Sequence, residues 1–571
     1  MRFLLTSTVF LTATFAASSA RSDDVTPAPR RPRRDATEEP TTAERTTRRE
    51  HGDESAEPKA ATQRASREDA SRREDEPPLA ERSSTAPSDK RTPMADAPPK
   101  VEPREPVSPP PSEPAPTLAR AGLVVPTNTN GHRGTFVFGS YGRVLAASDA
   151  AGRPARDSDI VAYGSRVDAV NYVELELRRE DHWEATGIDT RIVSTLAIGN
   201  SIFHHNGVFD AQVAVRNLYL EAMNLGHRGL SAWAGSRMYR GDDIYLLNFW
   251  PLDNLNTMGA GLRFEAPTHT IAQLHIGFGQ PDSPFYKQRA SRPSPLNQFG
   301  AATIDLLDRQ RWIGSARLEQ PIRFGEKVGM KLVAYGEAHR LPAGERETAR
   351  DGVFEAVPAE AGFVVGGQLG AWTGERNSHL NVFVRYAGGL AAYGEFATPS
   401  SLGVDRTTSG ARELQVAFGG NYELGRFAVM AGGYLRSFRN ASRALDASDV
   451  DEGSVIVRPQ VWFRDWLGIG VEGGYQLQQR GTLVVPEEGG SPAPIVATMP
   501  RFAVMPFISP AGRGSFSRPM MWLIYSAGFR DAGARALYPV DDPFRTRAVE
   551  HFFGVGAEWW FGSSSYGGTL Q

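Results

Sequence analysis

The chain contains no cysteine among its 571 residues. It therefore forms no disulfide bond, and an exported form depends on a large core or a closed sheet for its stability. Long hydrophobic runs are also absent, because after residue 20 no window of about 18 apolar residues is free of charge. The sequence thus predicts no transmembrane helix. The formal net charge of −3 lacks the basic excess that a nucleic-acid partner requires.

The first 20 residues, MRFLLTSTVFLTATFAASSA, have one basic residue, then an apolar stretch, then small residues that end at Ser18 and Ala20. This order is typical of a cleaved secretory signal. The sequence predicts cleavage after Ala20 and export from the cytoplasm.

Aromatic residues are missing from a long stretch that follows this signal. Between Ala16 and Thr135 there is no Phe, Trp, Tyr or Ile, and Pro, Arg and Glu are frequent. Such a segment cannot bury enough apolar surface to offset the entropy of ordering it, so we expect residues 21–130 to form a disordered, extended arm. The arm is either a spacer or a segment that contacts the cell wall or another periplasmic partner, and both interpretations stay open.

From residue 131 onwards, short segments alternate between polar and apolar side chains. In NYVELELRRE, Tyr172 and Glu174 begin a polar face, while Val173 and Leu175 begin an apolar one. The segments DWLGIGVEGGYQLQQ and HFFGVGAEWWF repeat this pattern. A period of two predicts strands with one polar and one apolar face, as in a soluble antiparallel sheet or a transmembrane β-barrel.

Three features favour the all-β transmembrane antiparallel β-barrel. The polar rows contain glycine and charge instead of Ser and Thr, the apolar rows end in aromatics, and the last strand ends at Phe561. Contact with lipid requires a closed sheet, because an open edge leaves backbone groups unpaired in hydrocarbon. We expect a barrel over residues 131–562 and a polar tail over 563–571. At about 24 residues per strand and connection, this length gives about 18 strands around an aqueous channel.

Seven segments resemble the maltoporin family of carbohydrate-selective outer-membrane porins, which includes maltoporin and sucrose porin. WAGSRMYRGDDIYLLNFWPLD at 233–253, followed by GAGLRF, is similar to the segment that leads into the family's constricting loop. GSYGRV, NYVELELR and VRNLYLEAMNL resemble earlier strands, and VIVRPQVWFRDWLGIGVEGGYQ, SFSRPMMWLIYSAGF and HFFGVGAEWWF resemble the last ones. The segments occur in the family's order along the chain.

The resemblance implies a homotrimer of 18-stranded barrels in the outer membrane of a Gram-negative bacterium, surrounded by lipid, with the N-terminal arm in the periplasm. It further implies facilitated diffusion of maltodextrin-like oligosaccharides along lumen aromatics that stack on sugar rings. Charged side chains flank that aromatic row in the family and exchange hydrogen bonds with sugar hydroxyls. A general diffusion porin and a structural barrel that anchors the arm to the cell wall remain the alternatives.

Carried over position by position, the resemblance implies two sets of site residues. The sugar-stacking aromatics are Tyr141, Tyr172, Trp250, Phe516 and Trp560. The polar track consists of Arg143, Arg166, Glu174, Arg216, Arg240 and Asp243. The chain departs from the family at Gly241, Asn248 and Trp250, where the family has Arg, Asp and Tyr. These departures give a bulkier and less acidic constriction.

Enzymatic activity and metal binding are not expected. We find no Ser and His constellation that falls on one lumen face, as nucleophilic catalysis would need. His204 and His205 are adjacent, and neighbouring side chains on a strand point in opposite directions. The sequence therefore predicts no cofactor, no metal and no nucleic-acid partner.

Overall fold

The structure is a computed structural model that describes residues 123–128, 132–199, 203, 207, 211–294, 299–374, 378–442, 448–484 and 493–564. The predicted signal sequence, most of the predicted arm and the end of the predicted tail lie outside these residues.

The described residues form one large antiparallel sheet and two small hairpins. The eighteen strands of the barrel are β2 His132–Asp149, β3 Tyr172–Trp183, β4 Ile188–Gly199, β5 Gln212–Met223, β6 Leu230–Arg240, β7 Asn254–Glu265, β8 Ile271–Gly279, β11 Arg311–Arg323, β12 Val328–Leu341, β15 Glu360–Thr373, β16 Ser378–Gly389, β17 Arg412–Leu424, β18 Phe427–Arg439, β19 Val450–Arg464, β20 Leu467–Val484, β21 Ala493–Ile508, β22 Met520–Phe529 and β23 Val549–Phe561. The remaining strands are β1 Leu123–Asn128, β9 Lys287–Pro293, β10 Ala301–Asp308, β13 Gly344–Glu347 and β14 Phe354–Val357.

The sheet closes on itself, because β23 pairs with β2 and places Tyr141 opposite Trp560. The prediction of a closed barrel of about 18 strands is therefore confirmed. The six-residue strand β1 lies within the last part of the predicted arm, so this part is ordered. It pairs with the first part of β2, with Leu123 opposite Phe136.

Helical structure is short throughout the described residues. The two α-helices are α1 Ala532–Ala536 and α2 Pro543–Thr546, and 3-10 turns occur at Arg166–Asp168, Tyr245–Leu247 and Leu390–Tyr393. Among the described residues, no helix is long and apolar enough to cross a bilayer.

The two faces of the strands carry different side chains, as the alternation predicts. On β3, Glu174 and Glu176 are buried towards the lumen, while Leu175 and Leu177 are exposed on the outer face. The same alternation holds along β20 and β23. An apolar outer row around a polar interior is the arrangement of a barrel that spans a bilayer.

The connections at the two ends of the barrel differ in length. At one end they have two to six residues, apart from residues 509–519, and at the other end they have eight to 31 residues. The N-terminus of β2 and the C-terminus of β23 both lie at the short-turn end. Two of the long connections fold into the lumen, and they position the site described next.

Candidate functional site

The connection between β6 and β7, residues 241–253, is here called the constriction loop. Its apolar side chains Ile244, Leu246 and Phe249 are buried in a cluster with Val364 and Met430 of the opposite wall. This packing explains how a loop can cross the lumen, because its apolar face replaces water against the barrel wall.

Two glycines of the opposite wall make room for Ile244. A Cβ on Gly432 of β18 would lie 2.6 Å from Cγ2 of Ile244, and a Cβ on Gly419 of β17 would lie 3.1 Å from its Cγ1. Any larger residue at Gly432 would therefore push the constriction loop away from the wall.

The connection between β2 and β3, residues 150–171, is here called the first loop, and it packs on the constriction loop. The ring of Tyr163 stacks on Phe249 with centroids 3.8 Å apart and planes at 19°. The backbone N–H of Tyr163 donates to the hydroxyl of Tyr434, 3.1 Å away on β18. The two loops thus hold each other inside the barrel.

Glu558 of β23 joins both loops to the wall. Arg166 of the first loop lies 2.6 Å from one carboxylate oxygen, and Arg518 of the 509–519 connection lies 2.8 Å from the other. The hydroxyl of Tyr245, in the constriction loop, donates to Glu558 over 2.6 Å, and that of Tyr141 donates over 3.3 Å. The side chains of Glu558, Arg166 and Arg518 are almost completely buried, so these bonds are poorly screened by water.

Tyr245 also connects the predicted aromatics. Its ring meets Phe516 edge-on at 5.7 Å and Trp560 edge-on at 6.3 Å between centroids. The guanidinium of Arg518 lies over the Trp560 ring at 4.4 Å. Tyr245 is not among the site residues predicted from the sequence, although it lies between the aliphatic Ile244 and Leu246 in the segment that resembles the constriction.

A cavity of about 660 Å³ lies below the loops, at the short-turn end of the lumen. Its volume falls in the range of pockets that bind small molecules. Seven of the predicted site residues line it, namely Tyr141, Arg166, Arg240, Asp243, Trp250, Phe516 and Trp560. Aromatic rings and charged groups therefore face the same space.

The other four predicted residues are not part of this lining. Arg216 lies 2.9 Å from Glu174, and both bond to the hydroxyl of Tyr172. Arg143 is buried and donates to the carbonyl of Val167 over 3.1 Å. One ring contact links this group to the cavity, because Tyr172 lies 6.0 Å from Tyr141.

Trp250 and Arg240 form a pair at the edge of the constriction loop. The Arg240 guanidinium lies 4.0 Å from the centre of the Trp250 ring, and its Nε donates to Asn254 over 2.5 Å. The pair thus places a cation and an aromatic ring side by side.

Two acidic residues of the constriction loop differ in their environment. Burial raises the pKa of Asp243 to about 6, although the positive charge of Arg166 acts against this rise. For Asp242 burial acts in the same direction, but the neighbouring Lys331 and Gln368 outweigh it and hold the pKa below its ordinary value. Asp243 therefore changes charge near neutral pH, whereas Asp242 stays ionised.

Three carboxylates of the first loop, those of Asp157, Asp159 and Asp168, approach within 4.8 Å of one another. Arg501 of β21 already occupies the space between two of them, at 2.7 Å from Asp168 and 3.3 Å from Asp159. A guanidinium supplies the positive charge that the cluster requires, so we assign no metal to it.

A closed antiparallel barrel with inward-folded loops and a polar lumen is the architecture of an outer-membrane porin. Residues 164–561 match the family model described as LamB porin, and the chain belongs to this family. The search of curated proteins gave no match.

Similar solved structures include OccAB1 and two proteins described as outer-membrane proteins, OmpT and OpdK. OccAB1 of Acinetobacter baumannii is 12% identical, with a TM-score of 0.38 over 75% of this chain and 96% of that one. OmpT of Vibrio cholerae is 12% identical, with a TM-score of 0.36 over 75% and 99% of the two chains. OpdK of Pseudomonas aeruginosa is 12% identical, with a TM-score of 0.33 over 74% and 98%.

Proposed function

We propose that this porin carries oligosaccharides, maltodextrin-like chains among them, by saturable facilitated diffusion through the lumen. The observation that supports this proposal is the cavity in which Tyr141, Phe516 and Trp560 lie beside Arg166 and Asp243. A sugar has apolar C–H faces and polar edges, so it binds where aromatic faces and charged hydrogen-bonding groups occur together.

The strength of such binding is limited by transport itself. A site that binds tightly traps its solute, so each contact along the path must be weak. Millimolar affinity corresponds to about 4 kcal/mol in total. Contacts with the partly exposed rings of Phe516 and Trp560 and with a few polar groups are sufficient for that value.

The orientation belongs to the same proposal. Barrels of the outer membrane have short periplasmic turns and longer external loops. With this orientation, the cavity opens towards the periplasm, and the N-terminal arm begins on the same side. We also propose that the barrel assembles as a homotrimer and that the arm acts as a periplasmic spacer or tether.

The test is the ion current through the reconstituted full-length protein in a planar bilayer, titrated with linear maltodextrins and with sucrose. We expect a saturable block by at least one of these sugars. The Trp560→Ala and Tyr141→Ala variants should raise the half-blocking concentration, because they remove a ring from the cavity.

The matched control is Trp559→Ala, which changes the neighbouring residue on the outer row of the same strand. It should leave the half-blocking concentration unchanged. Indifference of the current to every sugar would refute the proposal and favour a general diffusion porin.

A further inference from the structure

The cavity has more positive than negative groups in its lining. Among the described residues that line it are seven basic residues and four acidic ones, an excess of three positive charges. The whole chain, by contrast, has a formal net charge of −3. The excess is thus a property of the site.

Three of the four lining carboxylates are already neutralised by an adjacent cation. Lys331 binds Asp242, Arg263 lies 2.8 Å from Glu265, and Arg317 lies 2.9 Å from Glu319. The fourth is Asp243, which lies beside the lining arginines and forms no salt bridge with another described residue.

Carboxylates behind the lining do not cancel the excess. Glu221 is bound by Arg191 at 3.7 Å as well as by Arg237 of the lining, and Glu558 is bound by Arg518 as well as by Arg166. Asp253 lies 2.5 Å from Arg317. Because Arg317 also neutralises Glu319, the charge of Asp253 lowers the excess from three positive charges to two.

Two of the lining arginines are placed to meet a solute. Arg323 ends β11 at the mouth of the cavity, where it is exposed and forms no salt bridge with any described residue. Arg240 places its guanidinium 4.0 Å from the centre of the Trp250 ring, beside the cavity that both residues line. Guanidinium groups bind planar carboxylates through two parallel hydrogen bonds.

We propose that, among oligosaccharides, this porin prefers sugars that carry carboxylates, such as uronic-acid oligomers, over neutral glucans of the same length. The preference rests on the proposed function, because the aromatic rings bind the sugar faces in both cases. The arginines then add charge-assisted hydrogen bonds that a neutral sugar cannot match.

The experiment compares the block of current by trigalacturonate, maltotriose and citrate at low salt. Trigalacturonate should reach half-block at a concentration about fivefold lower than maltotriose, since hydrogen bonds to charged groups are about twice as strong as neutral ones. Citrate, which has charge but no ring, should block less than trigalacturonate. A salt gradient should give a reversal potential that shows anion selectivity.

Two variants at the short-turn end of the barrel distinguish the effect of a charge in the cavity from the effect of a nearby substitution outside it. Arg323→Gln should reduce the advantage of trigalacturonate to about twofold, and about 1 M salt should reduce it similarly by screening. Lys327→Gln should leave it unchanged, because Lys327 is an equally exposed cation in the next turn and does not line the cavity.

The results also separate this preference from the proposed function. Block by neither sugar would contradict the proposed function itself. Block by maltotriose that equals or exceeds the block by trigalacturonate would overturn only the preference for acidic sugars. Equal block by citrate and trigalacturonate would overturn it as well, because the sugar rings would then contribute nothing.

Discussion

Glu558 of β23 has a fully buried side chain and forms salt bridges with Arg166 and Arg518. Glu558→Gln would leave two buried guanidiniums without their counter-charge. Breaking a buried ion pair in this way costs about 3–5 kcal/mol. We therefore predict a lower temperature for the loss of the folded, fast-migrating band on gels in detergent. Glu326→Gln, in an exposed turn, is the control and should leave that temperature unchanged.

Asp243 gives the cavity a dependence on pH. Its pKa is raised to about 6, so its carboxyl is ionised above that pH and neutral below it. The net positive charge of the cavity should therefore rise, and anion selectivity with it, as the pH falls from about 7.5 to about 5.

Reversal potentials across a salt gradient measure this change. Asp243→Asn should reduce the change with pH, because it removes the carboxyl that titrates in this range. Asp282→Asn, on an exposed loop, should retain the full change. A variant at Asp243 with the pH response of the unmodified protein would contradict the assignment.

The sequence predicts some of the individual site residues but not all of them. The alternation of side chains along β2 and β23 predicts that Tyr141 and Trp560 face the lumen, because period two is a property of the strand itself. The role of Tyr245 as the link between Phe516 and Trp560 could not be predicted in this way. It depends on where a loop meets the far wall, and no local pattern encodes that distance.

Among the elements, the constriction loop depends on two small residues of the opposite wall. Gly432→Ala would place a Cβ 2.6 Å from Ile244, and overpacking of this kind costs about 1–3 kcal/mol. We predict that the loop becomes mobile and that the single-channel current becomes noisier. Gly473→Ala on β20, whose Cβ would meet nothing within 4 Å, should behave like the unmodified protein. Equal noise in both variants would argue against this anchor.

The elements of the barrel could be predicted better than the loops. The segment NYVELELRRE predicts β3, and HFFGVGAEWWF predicts β23, because each strand needs one face for lipid and one for water. The path of residues 241–253 is fixed instead by contacts with β17 and β18, far away in the sequence. The resemblance to the maltoporin family locates that loop in the sequence. The packing of Ile244 against the opposite wall explains why the loop crosses the lumen.

At the scale of the whole molecule, the outer row of every strand must be compatible with lipid. Val365 lies near the middle of β15 with 52% of its surface exposed on that row. Val365→Arg should destabilise the barrel by about 2–4 kcal/mol in a bilayer. Val540→Arg changes a residue that is 84% exposed in a long connection and should have little effect. Equal unfolding temperatures of the two variants would contradict a membrane-spanning row.

The most direct test of the account uses the absence of native cysteine, which makes any introduced thiol unique. Trp560→Cys and Trp559→Cys place a thiol on adjacent residues of opposite faces, and each is treated with a membrane-impermeant thiol reagent while the current is recorded. We predict that the reagent reduces the current only in the Trp560→Cys variant, and that a bound oligosaccharide slows the reaction. Equal reaction at both positions, or no protection by any sugar, would contradict it.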